Sequence, residues 1–145
     1  QQLKIKMFVI LFRIAQLRHQ HWLLWIYIFP LHLVYFIYSQ FFLGIEIPIS
    51  CKIGRPFKIW HGVGIVINPS VVIGKNCILR NGVTIGNNGS SNDCPEIGND
   101  VEIGANSVIV GNILIGNGAK IGPCAFVNFD LGENQKVVSL TTGAK

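Results

Sequence analysis

A six-residue repeat runs from Ile47 to Val127 and restricts the fold of this chain more than any other feature. Each unit begins with an aliphatic residue, often followed by glycine or asparagine, and its fifth position is small or apolar. The first positions are Ile47, Ile53, Ile59, Ile67, Ile73, Leu79, Ile85, Ile97, Ile103, Ile109, Ile115, Ile121 and Val127. The fifth positions are Cys51, Phe57, Val63, Val71, Cys77, Val83, Val101, Ser107, Ile113, Ala119 and Ala125. A fixed hexapeptide period predicts a parallel β-helix.

The period also predicts which side chains form the core. Six residues supply one short strand and one turn, so three units make a triangular coil of about 18 residues. The first and fifth positions then point inward and stack on the same positions of the next coil. Frequent glycine excludes an α-helix here, because each glycine in a helix interior costs about 1 kcal/mol. We therefore expect a mainly β fold over residues 44–132, with a tail at 133–145.

Residues 1–43 have a different pattern, which predicts a short helical segment. The apolar run Trp22–Tyr38 spans 17 residues and contains Pro30, and about 20 apolar residues are needed to span a bilayer. We predict helices at Lys4–Phe29 and Leu31–Phe42, separated at Pro30. Their apolar faces are expected to pack on the β-helix or on a neighbouring subunit, with a membrane interface as the alternative. No secretory signal pattern is evident.

Charge and cysteine content limit the partners and the location. The formal net charge is +5, and the first 45 residues contain Lys4, Lys6, Arg13 and Arg18 but no acid. This segment would suit an anionic membrane surface, a polyanionic partner or acidic surfaces of its own assembly. The repeats lack the basic and aromatic pattern of nucleic-acid binding. Four cysteines without a CxxC pair predict reduced thiols, no metal site and a cytoplasmic location.

The repeat is broken twice, and these breaks are where we expect a functional site. The step from Ile59 to Ile67 is eight residues and contains Trp60 and His61, and the step from Ile85 to Ile97 is twelve residues. The second break is a polar loop, Asn87 to Glu96, with the sequence Asn-Asn-Gly-Ser-Ser-Asn-Asp-Cys-Pro-Glu. Both breaks could border one cleft, either within a chain or between neighbouring chains.

His61 is the candidate catalytic base, because imidazole can accept and return a proton near neutral pH. It is the one histidine in the repeats, so three histidines cannot converge on zinc there as in a γ-carbonic anhydrase. Glu46 lies fifteen residues earlier, nearly one coil below, and could orient the imidazole. A structural role for His61, in a hexapeptide protein without catalysis, is the alternative.

Several segments carry a family resemblance: Gly44-Ile-Glu-Ile, Lys52-Ile-Gly, His61-Gly-Val-Gly-Ile-Val-Ile-Asn, Gly82-Val-Thr-Ile-Gly and Ile103-Gly-Ala-Asn-Ser-Val-Ile-Val-Gly-Asn-Ile. Residues 44 to about 128 resemble the bacterial serine O-acetyltransferases. The resemblance implies a left-handed β-helix and a homotrimer with acetyl-CoA sites between subunits. The family's catalytic histidine matches His61, and its acidic partner matches Glu46, where the family usually has aspartate.

Departures from the family concern the acceptor. Trp60 replaces an aspartate before the catalytic histidine, and Asp93 and Cys94 replace an Arg-His pair in the loop. Loss of the arginine removes a partner for the serine carboxylate. These substitutions look more like the colanic-acid and capsule-type acetyltransferases, which act on sugar hydroxyls. We expect Trp60, Asp93 and Cys94 to line the acceptor pocket, while serine remains the alternative acceptor.

The resemblance also implies a set of residues for acetyl-CoA. By match of position these are Gly86, Asn87, Ala105 and Lys120, with Lys120 near the phosphates. The alternative for Lys120 is a solvated corner residue, and for Gly86 a plain corner glycine. The C-terminal sequence Val137-Val-Ser-Leu-Thr-Thr-Gly-Ala-Lys departs from the family's usual ending.

Overall fold

A computed structural model describes residues 2–20, 25–89 and 93–138 of the chain. In this part the helices are α1 (Gln2–Gln20) and α2 (Trp25–Ile37), followed by a π-helical segment (Tyr38–Leu43). The strands are β1 (Lys52–Ile53), β2 (Phe57–Trp60), β3 (Val66–Ile67), β4 (Val72–Ile73), β5 (Cys77–Arg80), β6 (Thr84–Gly86), β7 (Glu96–Ile97), β8 (Glu102–Ile103), β9 (Val108–Val110), β10 (Leu114–Ile115), β11 (Lys120–Ile121), β12 (Phe126–Val127) and β13 (Lys136–Val137).

The strands form three parallel sheets around one core. The first sheet has the order β1-β4-β7-β10, the second β13-β11-β8-β5-β2 and the third β12-β9-β6-β3. From β1 to β12, consecutive strands belong to consecutive sheets, so each coil contributes one strand to every side of a triangle. In the last coil a single bridge from Leu131 to Ile115 takes the place of a strand in the first sheet. The predicted parallel β-helix is confirmed.

The strand register shows how the two breaks are accommodated. Ile103 pairs with Ile121, at the regular spacing of 18 residues. Ile53 pairs with Ile73, a spacing of 20, because that coil contains the first break. Ile73 pairs with Ile97, a spacing of 24, because the next coil contains the second break. The extra residues are therefore confined to corners, and every inward position stays in register.

The inward positions form a continuous apolar column, as predicted. The first-position residues are all buried, and so are Cys51 and Cys77. Val63 is the exception among the fifth positions, because its side chain is 55% exposed and Ile65 is fully buried in its place. The two residues inserted at the first break move the inward position from 63 to 65. The coils approach so closely that a Cβ on Gly74 would lie 2.5 Å from the carbonyl oxygen of Gly98.

Helix α1 covers the open end of the first coil. Its buried residues Ile5, Phe8, Phe12 and Ala15 follow the helical period and face the core. The Arg13 guanidinium donates to the carbonyl oxygens of Ile53 and Gly54, and the Gln16 amide donates to those of Ile49 and Cys51. Polar side chains of α1 thus satisfy backbone groups that no further coil pairs. The expected packing of the helical segment on the β-helix is present.

The predicted helix boundary at Pro30 is wrong. Pro30 lies inside α2, between Trp25 and Ile37. Proline removes one hydrogen bond near the start of this helix, and tertiary packing compensates because Tyr35 is buried against the rings of Phe8 and Phe12. The Tyr35 hydroxyl also donates to the carbonyl oxygen of Ile47 at 2.5 Å. The predicted helix to Phe29 crosses residues 21–24, which lie outside the described residues.

The last strand extends the solenoid beyond the predicted boundary at residue 132. Strand β13 pairs with β11 through Lys136 and Val137, so part of the predicted tail belongs to the second sheet. Residues 139–145, and with them most of the unusual C-terminal sequence, lie outside the described residues.

Candidate active site

The first break forms an open corner between β2 and β3, and His61 is its first residue. His61 has φ +54° and Gly64 has φ +66°, so this corner contains two left-handed residues. The regular corners above it contain one each, at Gly82, Asn106 and Cys124. Histidine is among the residues that tolerate this conformation better than β-branched residues do. The corner leaves His61 exposed at the surface.

Gly62 fixes the corner to the core. A Cβ on Gly62 would lie 2.7 Å from side-chain carbons of both Ile5 and Ile59, and 3.1 Å from Ile45. The backbone next to His61 is therefore packed tightly against Ile5 of helix α1, Ile59 of strand β2 and the buried Ile45. An exposed imidazole on a tightly packed backbone is suited to positioned proton transfer.

Glu46 lies one coil below the same corner, as its spacing predicts. Its backbone N–H donates to Ile65 at 2.7 Å, and its carbonyl accepts from Ile67 at 2.8 Å. Glu46 thus extends the third sheet beside Val66, with an exposed side chain. The catalytic pairing of Glu46 with His61 stays a prediction.

Trp60 and His61 border a cavity of about 430 Å³ between α1 and β2. The Trp60 side chain is on the outer surface of β2 and is 40% exposed. Helix α1 contributes Ile5 and Val9 to this cavity, and the sequence did not predict that contribution. The signal was present in the helical spacing of the buried residues of α1, but the sequence did not indicate which end of the solenoid they would cover.

The second break leaves the solenoid between β6 and β7. Asp93 is exposed, and Cys94 is partly buried against the core. Burial raises the pKa of the Cys94 thiol, and the neighbouring Asp93 carboxylate raises this pKa further. The predicted loop includes residues 90–92, which lie outside the described residues.

The two breaks are at different corners of the triangle. His61 lies where the second sheet passes to the third, and Asp93 and Cys94 lie where the third sheet passes to the first. The third sheet separates them. One chain therefore does not bring His61 and the described part of the loop to the same corner.

The residues predicted for acetyl-CoA are also distributed over the surface. Gly86 ends β6 and is buried, and the Asn87 side chain accepts from the N–H of Gly89 at 3.3 Å. Ala105 is half-buried at the corner after β8. Lys120 begins β11, where its ammonium is 2.8 Å from the Glu102 carboxylate. Lys120 is therefore an ion-paired strand residue on the second sheet and not the solvated corner residue of the alternative, while its contact with acetyl-CoA stays a prediction.

In the part of the chain that the structure describes, no group of three or more His, Cys, Asp or Glu side chains converges in a way that could hold a metal ion. Among the helices that the structure describes, none is both long and apolar enough to cross a bilayer.

Known proteins share the hexapeptide repeat. The family described as bacterial transferase hexapeptide (six repeats) matches residues 94–128. The Escherichia coli K12 protein assigned as the colanic acid biosynthesis acetyltransferase WcaB is 49% identical over 75 residues, covering 51% of this chain and 46% of WcaB. Serine acetyltransferase of Bacillus licheniformis is 40% identical over 104 residues, covering 70% of this chain and 48% of that enzyme. The chain spans about half the length of these curated relatives.

Solved structures agree over most of the chain. Serine acetyltransferase of Neisseria gonorrhoeae in complex with serine superposes with a TM-score of 0.78 and 30% identity, covering 95% of this chain and 55% of that one. A serine acetyltransferase in complex with CoA superposes with a TM-score of 0.71 and 26% identity, covering 92% and 54%. Because a solenoid of opposite hand would not superpose over such a length, the left-handed coil of these enzymes is also the hand of this one. This chain is a left-handed hexapeptide-repeat protein homologous to WcaB and to the serine acetyltransferases.

Proposed function

We propose that this protein is an O-acetyltransferase that moves an acetyl group from acetyl-CoA to a hydroxyl, with a saccharide of capsule or exopolysaccharide synthesis as the acceptor. The observation that carries the proposal is the first break, which holds an exposed His61 on a tightly packed backbone. The chain that contains it is similar to WcaB over 51% of its length and to a serine acetyltransferase over 70%. A regular solenoid needs no such corner for its stability.

In the proposed reaction His61 acts as a general base and then as a general acid. It removes the proton of the acceptor hydroxyl while the hydroxyl oxygen attacks the thioester carbonyl carbon. The tetrahedral intermediate collapses with cleavage of the carbon–sulfur bond, and His61 returns the proton to the sulfur. The products are an acetyl ester and the CoA thiol. Glu46 is proposed to orient the imidazole and to stabilise its charged form.

The saccharide acceptor is favoured over serine by the charge of the loop. Asp93 places a carboxylate where a serine acceptor would need a cation, and two carboxylates repel each other. Serine remains the second candidate because serine acetyltransferases are among the similar proteins. Cys94 is not the proposed nucleophile, because a raised pKa keeps its thiol protonated near neutral pH. The non-catalytic alternative leaves the two residues inserted at the first break without a purpose.

Acetyl-CoA is proposed to bind near Gly86, Asn87, Ala105 and Lys120. Small residues at two corners would let the pantetheine approach the backbone closely. The Lys120–Glu102 ion pair is about half exposed on both sides, and such pairs contribute only about 0–1 kcal/mol. A CoA phosphate could therefore displace Glu102 from Lys120 at small cost. No metal is proposed.

A homotrimer is proposed to complete the site between neighbouring copies. The outward positions of the third sheet are largely apolar. One column of register partners contains Val66, Val108 and Phe126, and Thr84 is its polar member. Phe126 is 60% exposed and Val66 is 39% exposed. This apolar face lies between the His61 corner and the loop corner. Contact of neighbouring copies around it would bring His61 of one copy towards the loop of the next.

We also propose that the protein works in the cytoplasm, where acetyl-CoA is available, with residues 1–43 resting on the inner membrane surface. Phe41 and Phe42 are 75% and 74% exposed, and Lys4 and Lys6 are exposed on α1. Aromatic side chains with nearby lysines suit an anionic lipid surface. Wild-type protein should sediment with vesicles that contain phosphatidylserine, and F41S/F42S should stay in solution. Equal sedimentation of the two proteins would contradict the membrane contact.

The function is tested by release of the CoA thiol from acetyl-CoA in the presence of different acceptors. We expect turnover with capsule-type saccharides and little turnover with L-serine. Efficient turnover with serine would replace the saccharide by the alternative acceptor. Absence of turnover with every hydroxyl acceptor would favour the non-catalytic alternative.

A further inference from the structure

The cavity beside His61 has one wall formed by helix α1 and another formed by strand β2. Helix α1 contributes Ile5, Val9 and Ile10, and strand β2 contributes Phe57, Ile59 and Trp60. Its volume of about 430 Å³ is within the range of small-molecule sites, which is roughly 300–1,000 Å³. This is an apolar space that a saccharide or a serine alone would not fill with matching chemistry.

The charged groups around the cavity have one sign. Lys6 on α1 and Lys58 on β2 both line it, and no acidic residue is among its lining side chains. Lys6 and Lys58 belong to different walls, so each wall of the cavity supplies one cationic residue. A lysine is a compact point charge that binds phosphate or carboxylate without a fixed geometry.

We infer that this cavity binds an anionic amphiphile, a molecule with an aliphatic chain between α1 and β2 and an acidic group at Lys6 and Lys58. The inference rests on the proposed function in one respect: the bound molecule is also the acceptor whose hydroxyl meets His61. Trp60 lies at the border of the cavity with an exposed ring, where an amphipathic aromatic side chain can contact both the apolar and the polar part of such a molecule.

Binding is measured apart from catalysis, by calorimetric titration of the full chain with dodecyl phosphate below its micelle concentration. Inorganic phosphate tests the charge alone, and octyl glucoside tests the chain without charge. We expect saturable binding of dodecyl phosphate, weaker binding of octyl glucoside and none of inorganic phosphate. Shortening the alkyl phosphate should weaken binding by up to about fourfold for each methylene removed.

Variants locate the bound molecule. Ile10→Glu adds a negative charge at a lining position that is 59% exposed, so it should weaken dodecyl phosphate binding about tenfold without loss of fold. The control Leu17→Glu changes an exposed residue of the same helix that does not line the cavity. Replacement of Lys6 and Lys58 by glutamine should weaken binding at least tenfold, and Lys75→Gln, on an exposed turn, should leave it unchanged.

The outcomes separate this inference from the proposed function. Binding that is lost in Ile10→Glu but kept in His61→Asn supports the inference, whether or not acetyl transfer is found. Acetyl transfer by a wild-type protein that binds no alkyl phosphate would overturn the inference and leave the proposed function standing. Competition of CoA with dodecyl phosphate would also overturn it, because the cavity would then belong to the donor.

Discussion

His61 combines a left-handed backbone with an exposed imidazole. The conformation costs a non-glycine residue about 1–3 kcal/mol and persists where the surrounding structure imposes it. Gly62 supplies that constraint, because its lack of a side chain lets the corner close against Ile5, Ile59 and Ile45. The candidate base is thus positioned by the residue that follows it.

Gly62→Ala should disturb this corner directly. The added methyl group would lie 2.7 Å from carbons of Ile5 and Ile59, and overpacking of this kind costs about 1–3 kcal/mol. We expect a lower urea midpoint and a reduced rate of acetyl transfer. Gly132→Ala is the control, because its methyl group would meet only the flexible Gln135 side chain. Equal midpoints for the two variants would contradict the packing described for Gly62.

The buried thiols should make stability depend on alkaline pH. Burial raises the pKa of Cys51 to about 11, with Cys94 as a second cause, and burial also raises the pKa of Cys77. An unfolded thiol has a pKa of about 8.5, so the stability that the neutral thiols contribute is present below that pH and is lost as the pH rises towards 11. The free energy of unfolding should fall by at most about 1.4 kcal/mol per pH unit for each thiol.

Urea unfolding at pH 7, 9 and 10 measures this effect. Cys51→Val is the informative variant, because Val71 occupies the same inward position one coil above. It should flatten the pH dependence without creating a cavity. A variant that loses stability with pH as steeply as wild type would show that Cys51 does not ionise on unfolding.

For single residues, the inward positions could be predicted from the sequence because side chains alternate between the two faces of a β-strand. The inward position predicted for Val63 is wrong, because the repeat alone does not tell where inside a break the two extra residues lie. The ion pair of Lys120 was not predicted, because Glu102, its partner, is 18 residues away and becomes a neighbour only when the coils stack.

Among the elements, α1 is the one whose role the sequence described least. Its helical period predicted a buried face, but not the hydrogen bonds of Arg13 and Gln16 to the edge of the first coil. Such contacts between distant segments have no local signal. The helix boundary predicted at Pro30 was wrong for a related reason. Proline favours a helix break locally, but the distant packing of Tyr35 on Phe8 stabilises the helix that contains it.

Arg13→Ala tests the role of α1 as a cap. The variant leaves the carbonyl groups of Ile53 and Gly54 without their charged donor, and hydrogen bonds to charged groups contribute about 1.5–3 kcal/mol. We expect a loss of stability in that range on urea unfolding. Leu17→Ala, at an exposed position of the same helix, should change stability by less than about 0.5 kcal/mol. A comparable loss in both variants would assign the effect to the shortening of a helix side chain in general and would contradict the capping role, because alanine itself favours the helix.

For the whole molecule, the solenoid separates the two breaks that the sequence suggested as one site. A hexapeptide period predicts the order of the sheets. It does not predict whether one copy of the chain or two neighbouring copies form a cleft. The third sheet lies between the two breaks and exposes Val66 and Phe126. Assembly of copies is therefore part of the proposed site.

Phe126→Glu should disrupt that assembly. A charge on the apolar face of the third sheet would be desolvated at an interface, which is costly. We expect a monomer by light scattering and loss of acetyl transfer. Leu114→Glu is the matched control, because Leu114 is 59% exposed and lies on the first sheet. A Phe126→Glu protein that remains trimeric would place the interface on another face.

The most direct test of the account is the rate of CoA thiol release by His61→Asn. Asparagine tolerates the left-handed backbone of this corner, so the fold and the assembly should be retained while the base is removed. We expect the rate to fall by about 10²–10⁴-fold, with an unchanged urea midpoint. A folded His61→Asn protein that releases the CoA thiol within tenfold of the wild-type rate would contradict the role of His61 as the catalytic base.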